Sequence, residues 1–414
     1  MFEKFAFNSK RGKMDKVDKI FDSVASNNLF KNKSVLQSNY APDDILHREE
    51  QVETIASVLA PALRGERVSN LFLYGNTGTG KTLSVQHVGN KLALKCRERG
   101  KEVLQFVYIN CKLNKTSETE YRILAKIISS LGGSVPSTGL PTSDVYSRFV
   151  DLIDNKKQIV LIVLDEIDQA VEKISDNFIY SLTRLNSELK NAQINIIGIS
   201  NNLTFMDNLD PRVRSSLGEE EIVFSPYNAL QLQDILKKRA GQAFKDGALE
   251  EGVIAKCAAY AAREHGDARR ALDLLRVAGE IAEREGQSRV MLAHIDAANE
   301  KIEKDKMLDI ISGEPKQFQL VLYAIMGLDE QKRGATIYTG DVYNAYREIC
   351  DKIKMEVLTQ RRISDILGEF DMLGVINAKE ISRGRYGRTR EIKLMLPMNI
   401  KEKAKEILCK SLDV

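Results

Sequence analysis

Gly75-Asn76-Thr77-Gly78-Thr79-Gly80-Lys81-Thr82 is the stretch on which the reading of this chain turns. Four apolar residues, Leu71-Phe72-Leu73-Tyr74, stand immediately before it, and a helical pattern runs from about Lys81 to Arg99 after it. A strand, a glycine-rich turn and a helix form the context in which such a loop holds phosphate. Glycines let backbone N–H groups converge on an anion, and the helix N-terminus adds the positive end of its dipole. Gly75, Asn76, Thr77, Gly78, Thr79 and Gly80 are expected to cradle a nucleotide. Lys81 is expected to reach the β- and γ-phosphates, and the Thr82 hydroxyl to bind Mg²⁺. The implied cofactors are ATP or ADP, with Mg²⁺.

Working outward, further apolar runs read as strands: Val103 to Ile109, Ile159 to Leu164, Ile194 to Ile199 and Glu221 to Phe224. Between them lie helical patterns, including two stretches within residues 112–156 separated by the turn-rich LGGSVPSTGLP. Upstream, Ile45, Val52, Ile55, Val58 and Leu59 predict a helix from Asp44 to Leu63, with Pro61 marking its end. Strands alternating with helices predict an α/β fold, a parallel sheet with helices on both faces. Asp165 and Glu166 close the strand IVLIVL. At a parallel strand end beside the loop, Asp165 is placed to hold Mg²⁺ and Glu166 to polarise the attacking water. Capping the next helix is the other role open to Asp165. Asn201 ends the following strand, where it either orients water and touches the γ-phosphate or serves as an ordinary turn residue.

After Phe224 the composition shifts. Residues Ala229 to Lys304 are rich in Ala, Leu, Glu and Arg, which predicts a helical domain. Within it, Gly266-Asp267-Ala268-Arg269 offers an arginine that either reaches over the nucleotide or lies on a solvated helix face. From about Ile311 the pattern is three helices (Gln317–Met326, Asp341–Ile353, Gln360–Leu373) and two strand-like runs, Val375–Ile381 and Thr389–Leu396. These describe a winged-helix module. The expected domains are a nucleotide-binding core over 1–224, a helical lid over 225–310 and a winged helix over 311–414. The core has a partly mobile lead-in over 1–40.

Length and charge fit this division. A chain of 414 residues is expected to hold two or three domains. Lys and Arg number 61 against 58 Asp and Glu, a net charge of +3, so any nucleic-acid surface must be local. The wing supplies one: Lys379, Arg383, Arg385, Arg388 and Arg390 stand against the single acid Glu380. Arg385-Tyr386 at the hairpin tip suits a narrow minor groove. Thr359-Gln360-Arg361-Arg362 opens the third helix with polar side chains, the end that reads DNA in helix-turn-helix proteins. The wing's other reading is a solvated protein-interaction surface. The five cysteines include no Cys-x-x-Cys pair and the four histidines have no metal-ligand spacing. No apolar run reaches the length of a membrane helix, and the amino terminus lacks an apolar signal stretch. A cytoplasmic protein with no membrane partner is expected.

Phosphate loop, Asp-Glu strand end, Asn and lid Arg, in that order, resemble the AAA+ ATPases. His47-Arg48-Glu49-Glu50-Gln51, GNTGTGKT, LDEID, GISNNLTFMDNLDPRVRSSLG and GDARRALDLLRVAGEIAE narrow the likeness to one branch. That branch is the archaeal initiator family related to the origin-recognition complex and its cell-division-control loader. The resemblance implies an AAA+ parallel-sheet ATPase core with an α-helical lid and a C-terminal winged-helix domain. It also implies an ATP-dependent replication initiator, with slow regulatory hydrolysis. Its implied partners are double-stranded origin DNA, the replicative helicase of the minichromosome-maintenance type, and further copies or paralogues on DNA. Asp44 to Arg48 would lie near the adenine, with His47 and Arg48 among the nucleotide-binding residues. Lys81, Asp165, Glu166, Asn201 and Arg269 would carry the ATPase chemistry. Residues 112–146 match the helical insertion that touches DNA in the family, with Lys112, Lys115 and Arg122 either on phosphate or on solvent. Arg212 and Arg214 are the candidates for an arginine finger, displaced from the position many relatives use. An AAA+ transcription regulator or signalling ATPase shares this plan, as does a remodelling ATPase, although no pore loop is evident.

Overall fold

A computed structural model of the protein describes residues 29–38, 40–42, 44–99, 104–111, 119–136, 139–332, 336–382 and 388–413. The chain divides into two units between Ile295 and Asp296, and each is described by itself.

The first unit is built on a five-stranded sheet. In chain order its elements begin with α1 (Glu49–Leu59), β1 (Leu71–Tyr74), α2 (Lys81–Glu98) and β2 (Leu104–Asn110). Then come α3 (Glu120–Ser130), α4 (Thr142–Ile153), β3 (Gln158–Asp165), α5 (Ile167–Ile174) and α6 (Asn177–Arg184). The sheet is completed by β4 (Ala192–Ser200), α7 (Pro211–Leu217) and β5 (Glu220–Val223). The strand order is β2-β3-β4-β1-β5, and every pairing is parallel. All eight residues of β3 are buried, as a continuous apolar run covered on both faces requires. Register sets the site: Tyr74 pairs with Ser200, and Asp165 with Ile199. The phosphate loop, the Asp-Glu pair and Asn201 therefore leave the sheet from one edge.

Three lid helices follow, α8 (Ala229–Ala243), α9 (Val253–Arg263) and α10 (Ala268–Arg284). Asn228 and Gln231 cap α8 reciprocally. Asp267 caps α10, accepting from Arg269 N at 2.7 Å and Arg270 N at 3.3 Å. Helix α11 (Leu292–Gly313) contains the division between units.

The second unit continues with α12 (Lys316–Lys332), the short β6 (Ile337–Tyr338), α13 (Thr339–Ile353), α14 (Gln360–Met372), the antiparallel β7 (Ile376–Ser382) and β8 (Arg388–Leu394), and α15 (Met398–Leu412). Its core gathers Leu320, Ile325, Tyr346, Ile366, Phe370 and Leu408.

Four local expectations differ from the structure. The first helix begins at Glu49, because His47 takes a left-handed conformation (φ 59°) that a helix cannot include. Its end is Leu59, and Pro61 lies in a following 3₁₀ turn, Ala60–Arg64. Within the expected mobile lead-in, Leu29 to Ser38 are docked on the lid. Lys31 N donates to Ala243 O at 2.7 Å, Phe30 stacks on Phe244 at 4.5 Å, and Leu29, Phe30, Val35 and Leu36 are buried. Residues 1–28 lie outside the described residues. The carboxy-terminal helix α15 is an addition to the expected module, with Ile400, Ala404, Leu408 and Leu412 buried on one face.

Candidate functional site

A cleft of about 440 Å³ opens at the carboxyl edge of the sheet. One wall is the phosphate loop from Gly78 to Thr82, another is Asp165, Glu166 and Asn201, and the lid supplies Ala268, Arg269 and Leu272. This is the position at which ligands bind open parallel sheets.

The loop has little freedom. Gly75 has φ 151°, and a Cβ there would lie 2.2 Å from Phe224 O, so only glycine fits. Lys81 is 5% exposed, and its ammonium donates to Gly75 O (2.6 Å), Asn76 O (2.8 Å) and Asn201 Oδ1 (2.9 Å). All three hydrogens of the ammonium are thus aimed. Burial pulls its pKa down to about 8, against the opposing pull of Asp165. Arg269 also lowers it, which places that guanidinium electrostatically within the cleft.

Asp165 is the hub of the opposite wall. Its Oδ2 accepts from Thr82 Oγ1 (2.8 Å) and Tyr108 OH (2.6 Å), and its Oδ1 from Glu166 N (3.0 Å). Burial first, and then this carboxylate, push the Tyr108 phenol well above its ordinary value, so it remains a donor. Glu166 has φ 55°, a sparsely populated conformation for a non-glycine residue that turns the chain at the cleft edge. Asp168 accepts from Ser200 Oγ at 2.9 Å and braces the two strand ends. Among the described residues no cluster of three or more His, Cys, Asp or Glu could hold a metal. An ion at Thr82 and Asp165 would have to complete its shell with phosphate oxygens and water, which is how Mg²⁺ is ordinarily held.

His47 and Arg48 do not line this cleft. His47 pairs with Asp234 Oδ2 at 3.2 Å. Arg48 lies behind the phosphate loop, where its Nε donates to Thr79 O at 2.8 Å. The segment before these two residues, Asp44 to Leu46, does line the cleft, together with Tyr40, Ile235, Arg239 and Gln242. There the Arg239 guanidinium lies 4.5 Å from the Tyr40 ring and donates to Val35 O at 3.3 Å. Arg212 and Arg214 are also outside the cleft lining. Each is paired on its own chain, Arg212 with Asp210 at 3.0 Å and Arg214 with Asp207 at 3.2 Å.

The residues assigned to DNA divide sharply. At the start of α14, Gln360, Arg361 and Arg362 are exposed, and Thr359 is the cap, accepting from Arg362 N at 3.3 Å. The Arg362 side chain leans back towards Asp365 and Glu369, at 3.9 and 3.6 Å. Arg390, counted above with the wing's basic residues, turns inward to Ser364 O at 2.8 Å and Glu380 at 3.4 Å. It brackets the wing to α14. Arg122 is half-buried in the first turn of α3. Lys112, Lys115, Arg383, Arg385 and Tyr386 lie outside the described residues, and Arg388 is placed only as the first residue of β8.

Three family models match the chain in the order of these parts. A model described as "AAA domain" matches residues 65–206, "Cdc6 AAA+ ATPase-type lid domain" residues 233–300, and "CDC6, C terminal winged helix domain" residues 309–404. An ORC1-type DNA replication protein of Pyrococcus furiosus is 54% identical over 384 residues, covering 92% of this chain and 90% of the relative. The chain belongs to the ORC1-type DNA replication proteins. The ORC1-type DNA replication protein 1 of Methanosarcina mazei is 48% identical over 388 residues, 93% of this chain and 92% of that one. The solved structure of the Aeropyrum pernix ORC1 protein in complex with DNA superposes with a TM-score of 0.81 at 44% identity, covering 92% of this chain and 97% of that chain. The ORC1-type protein thus joins a nucleotide-binding α/β core of the AAA+ ATPases to a lid and a winged helix. Among its described residues no helix is long and apolar enough to cross a membrane.

Sequence reasoning missed Tyr108, Tyr40 and Tyr227 in this ORC1-type protein. Tyr108 carried a weak signal: it is a polar-tipped residue two positions before the end of a half-buried strand. Tyr40 and Tyr227 lie between predicted elements and gave none.

Proposed function

We propose that this ORC1-type protein is an ATP-dependent replication initiator. In this reading it binds double-stranded origin DNA through the winged helix and the core's helical insertion, and it recruits a replicative helicase of the minichromosome-maintenance type. ATP binding and slow hydrolysis set its state, and further copies or paralogues assemble beside it on DNA. The observation that carries the reading is the cleft itself. It brings Lys81, Asp165, Glu166 and Asn201 of the core and Arg269 of the lid around one nucleotide-sized space. A γ-phosphate there is within reach of groups from both domains, so its loss changes what the lid can contact.

Each residue has a role in this reading. Backbone N–H groups from Gly75 to Lys81 bind phosphate, and Lys81 exchanges its carbonyl contacts for phosphate oxygens. Mg²⁺, held through Thr82 and Asp165, would neutralise charge developing on the phosphates. Glu166 accepts a proton from water, Asn201 holds that water or the γ-phosphate, and Arg269 closes from the lid. Gln360 and Arg361 contact bases or phosphates, with Arg390 holding the wing in register. The solved complex of the Aeropyrum pernix ORC1 protein with DNA supports DNA as the partner.

Genome-wide footprinting tests the reading. Protection concentrated at sites where replication begins is expected. Protection of promoters alone would refute it in favour of a transcription regulator.

A further inference from the structure

Arg48 belongs to a motif that the nucleotide site leaves unused. It is 4% exposed, and three backbone carbonyls accept hydrogen bonds from it. Nε donates to Thr79 O (2.8 Å), Nη1 to His47 O (3.3 Å) and Nη2 to Ser225 O. The guanidinium also lies 3.9 Å from the centroid of the Tyr227 ring and 5.5 Å from that of Phe224. Among the described residues no carboxylate lies within ion-pair distance of it, although the Tyr227 hydroxyl and, at longer range, Glu49 favour its charge. A buried cation bound this way is costly, and its planar fork holds its acceptors in a fixed relation.

Two of those acceptors, Thr79 O and Ser225 O, lie on different elements. Thr79 is in the phosphate loop, one residue before Gly80. Ser225 and Tyr227 are the segment by which β5 leads into the lid helix α8. The same segment is tied to the other lid contact with the loop. Tyr227 N donates to Gly266 O at 3.3 Å, and Ala268 N donates to Gly78 O at 3.2 Å. Asp267 completes the ring: a Cβ on Gly78 would lie 1.7 Å from its Oδ1, and Thr77 Oγ1 lies 3.4 Å from its Oδ2. Any shift of Thr79 O on filling the loop must either break the Arg48 fork or carry Ser225 and Tyr227 with it.

We infer that Arg48 is a positioning residue that transmits the nucleotide state of the phosphate loop to the root of the lid. The inference rests on the ATP-switch reading above and adds the strut through which the switch acts. A lysine is expected not to replace it, because an ammonium lacks the planar fork that holds Thr79 O and Ser225 O on separate nitrogens while covering the Tyr227 ring. The strut also explains why Arg48 lies outside the cleft: it reads the loop's backbone from behind.

The test measures the distance between core and lid in the full-length protein. Spin labels are placed at exposed Leu94 on α2 and at exposed Glu251 in the lid. Distances are recorded with saturating ADP and with a saturating non-hydrolysable ATP analogue. In the wild-type protein the two nucleotides are expected to give different distances. In Arg48→Met both nucleotides still bind at saturation, and the difference shrinks to less than about a third. Arg48→Lys, which keeps the charge, is expected to behave like Arg48→Met and carries the test should Arg48→Met fail to fold. A full wild-type difference in Arg48→Lys overturns the inference and leaves the switch intact. Absence of any difference in the wild-type protein overturns the switch, and the strut with it. Loss of binding at saturation in both variants makes Arg48 a nucleotide-binding residue and overturns its role as transmitter.

Discussion

The nucleotide cleft and the amino end of α14 both offer cationic side chains suited to phosphate, and they hold them in opposite ways. Lys81 is buried, with three short hydrogen bonds that fix its ammonium before any ligand arrives. Arg361 is exposed, and Arg362 leans on two carboxylates beyond 3.5 Å. The difference suits the ligand proposed for each. A small anion undergoing chemistry needs groups preorganised in a low-dielectric site, where electrostatic contacts are strong. A duplex presents a repeating line of charge, and long solvated side chains gain affinity there by releasing counterions. Arg390 shows the limit of counting charge: it carries the same guanidinium as Arg361, but its hydrogen bonds to Ser364 and Glu380 make it a bracket.

The largest effect is expected from Lys81→Ala. It removes several charge-assisted contacts of about 1.5–3 kcal/mol each, so nucleotide affinity should fall by more than ~100-fold in a calorimetric titration. A fall below ~10-fold would erase the contrast with the exposed arginines. Glu166→Gln should slow hydrolysis by about 10²-fold, a magnitude typical of a lost general base, while a fluorescent nucleotide still binds. Equal turnover by this variant would remove Glu166 from the chemistry.

The depressed Lys81 pKa gives a third expectation. With a free value near 8, much of the ammonium has lost its proton at pH 9. A phosphate beside it favours the charged form, so binding takes up a proton above pH 8. Affinity should therefore fall about tenfold between pH 7 and 9 and be nearly flat below 7. A flat profile across that window would mean the ammonium is not at the phosphate. The smallest effect is that of Arg361→Ala, which should make the salt dependence of duplex binding shallower by about one phosphate contact, ~0.9 in the slope. An unchanged slope would take Arg361 off the DNA backbone and leave a protein-facing surface in its place.

Most of the core was readable along the chain. The strand, loop and helix around Gly75 to Thr82 and the buried runs of β3 and β4 are local patterns, and they lie where the residues implied. The meeting of the proposed catalytic residues in one cleft was readable for a related reason. In a parallel sheet each strand ends on the same edge, so motifs at strand ends converge even when they are far apart in sequence. Helix α15 and the docking of Leu29 to Leu36 were not readable, because a short amphipathic stretch is stable only on a surface the chain supplies elsewhere.

His47-Arg48 marks the boundary between the two kinds of knowledge. Sequence alone determined that this chain carries a phosphate loop, an acidic strand end, a helical lid and a winged helix, because those features depend on residues close together in the chain. Which way a long polar side chain points depends on acceptors brought in from far away. Arg48 meets Thr79 31 residues on and Ser225 177 residues on, and Arg390 meets Ser364 26 residues back. Tertiary structure alone decided that Arg48 stands behind the loop rather than in the cleft, and that Arg390 braces the wing rather than reaching out from it. The reason is that a guanidinium takes whatever carbonyls the fold leaves within its reach.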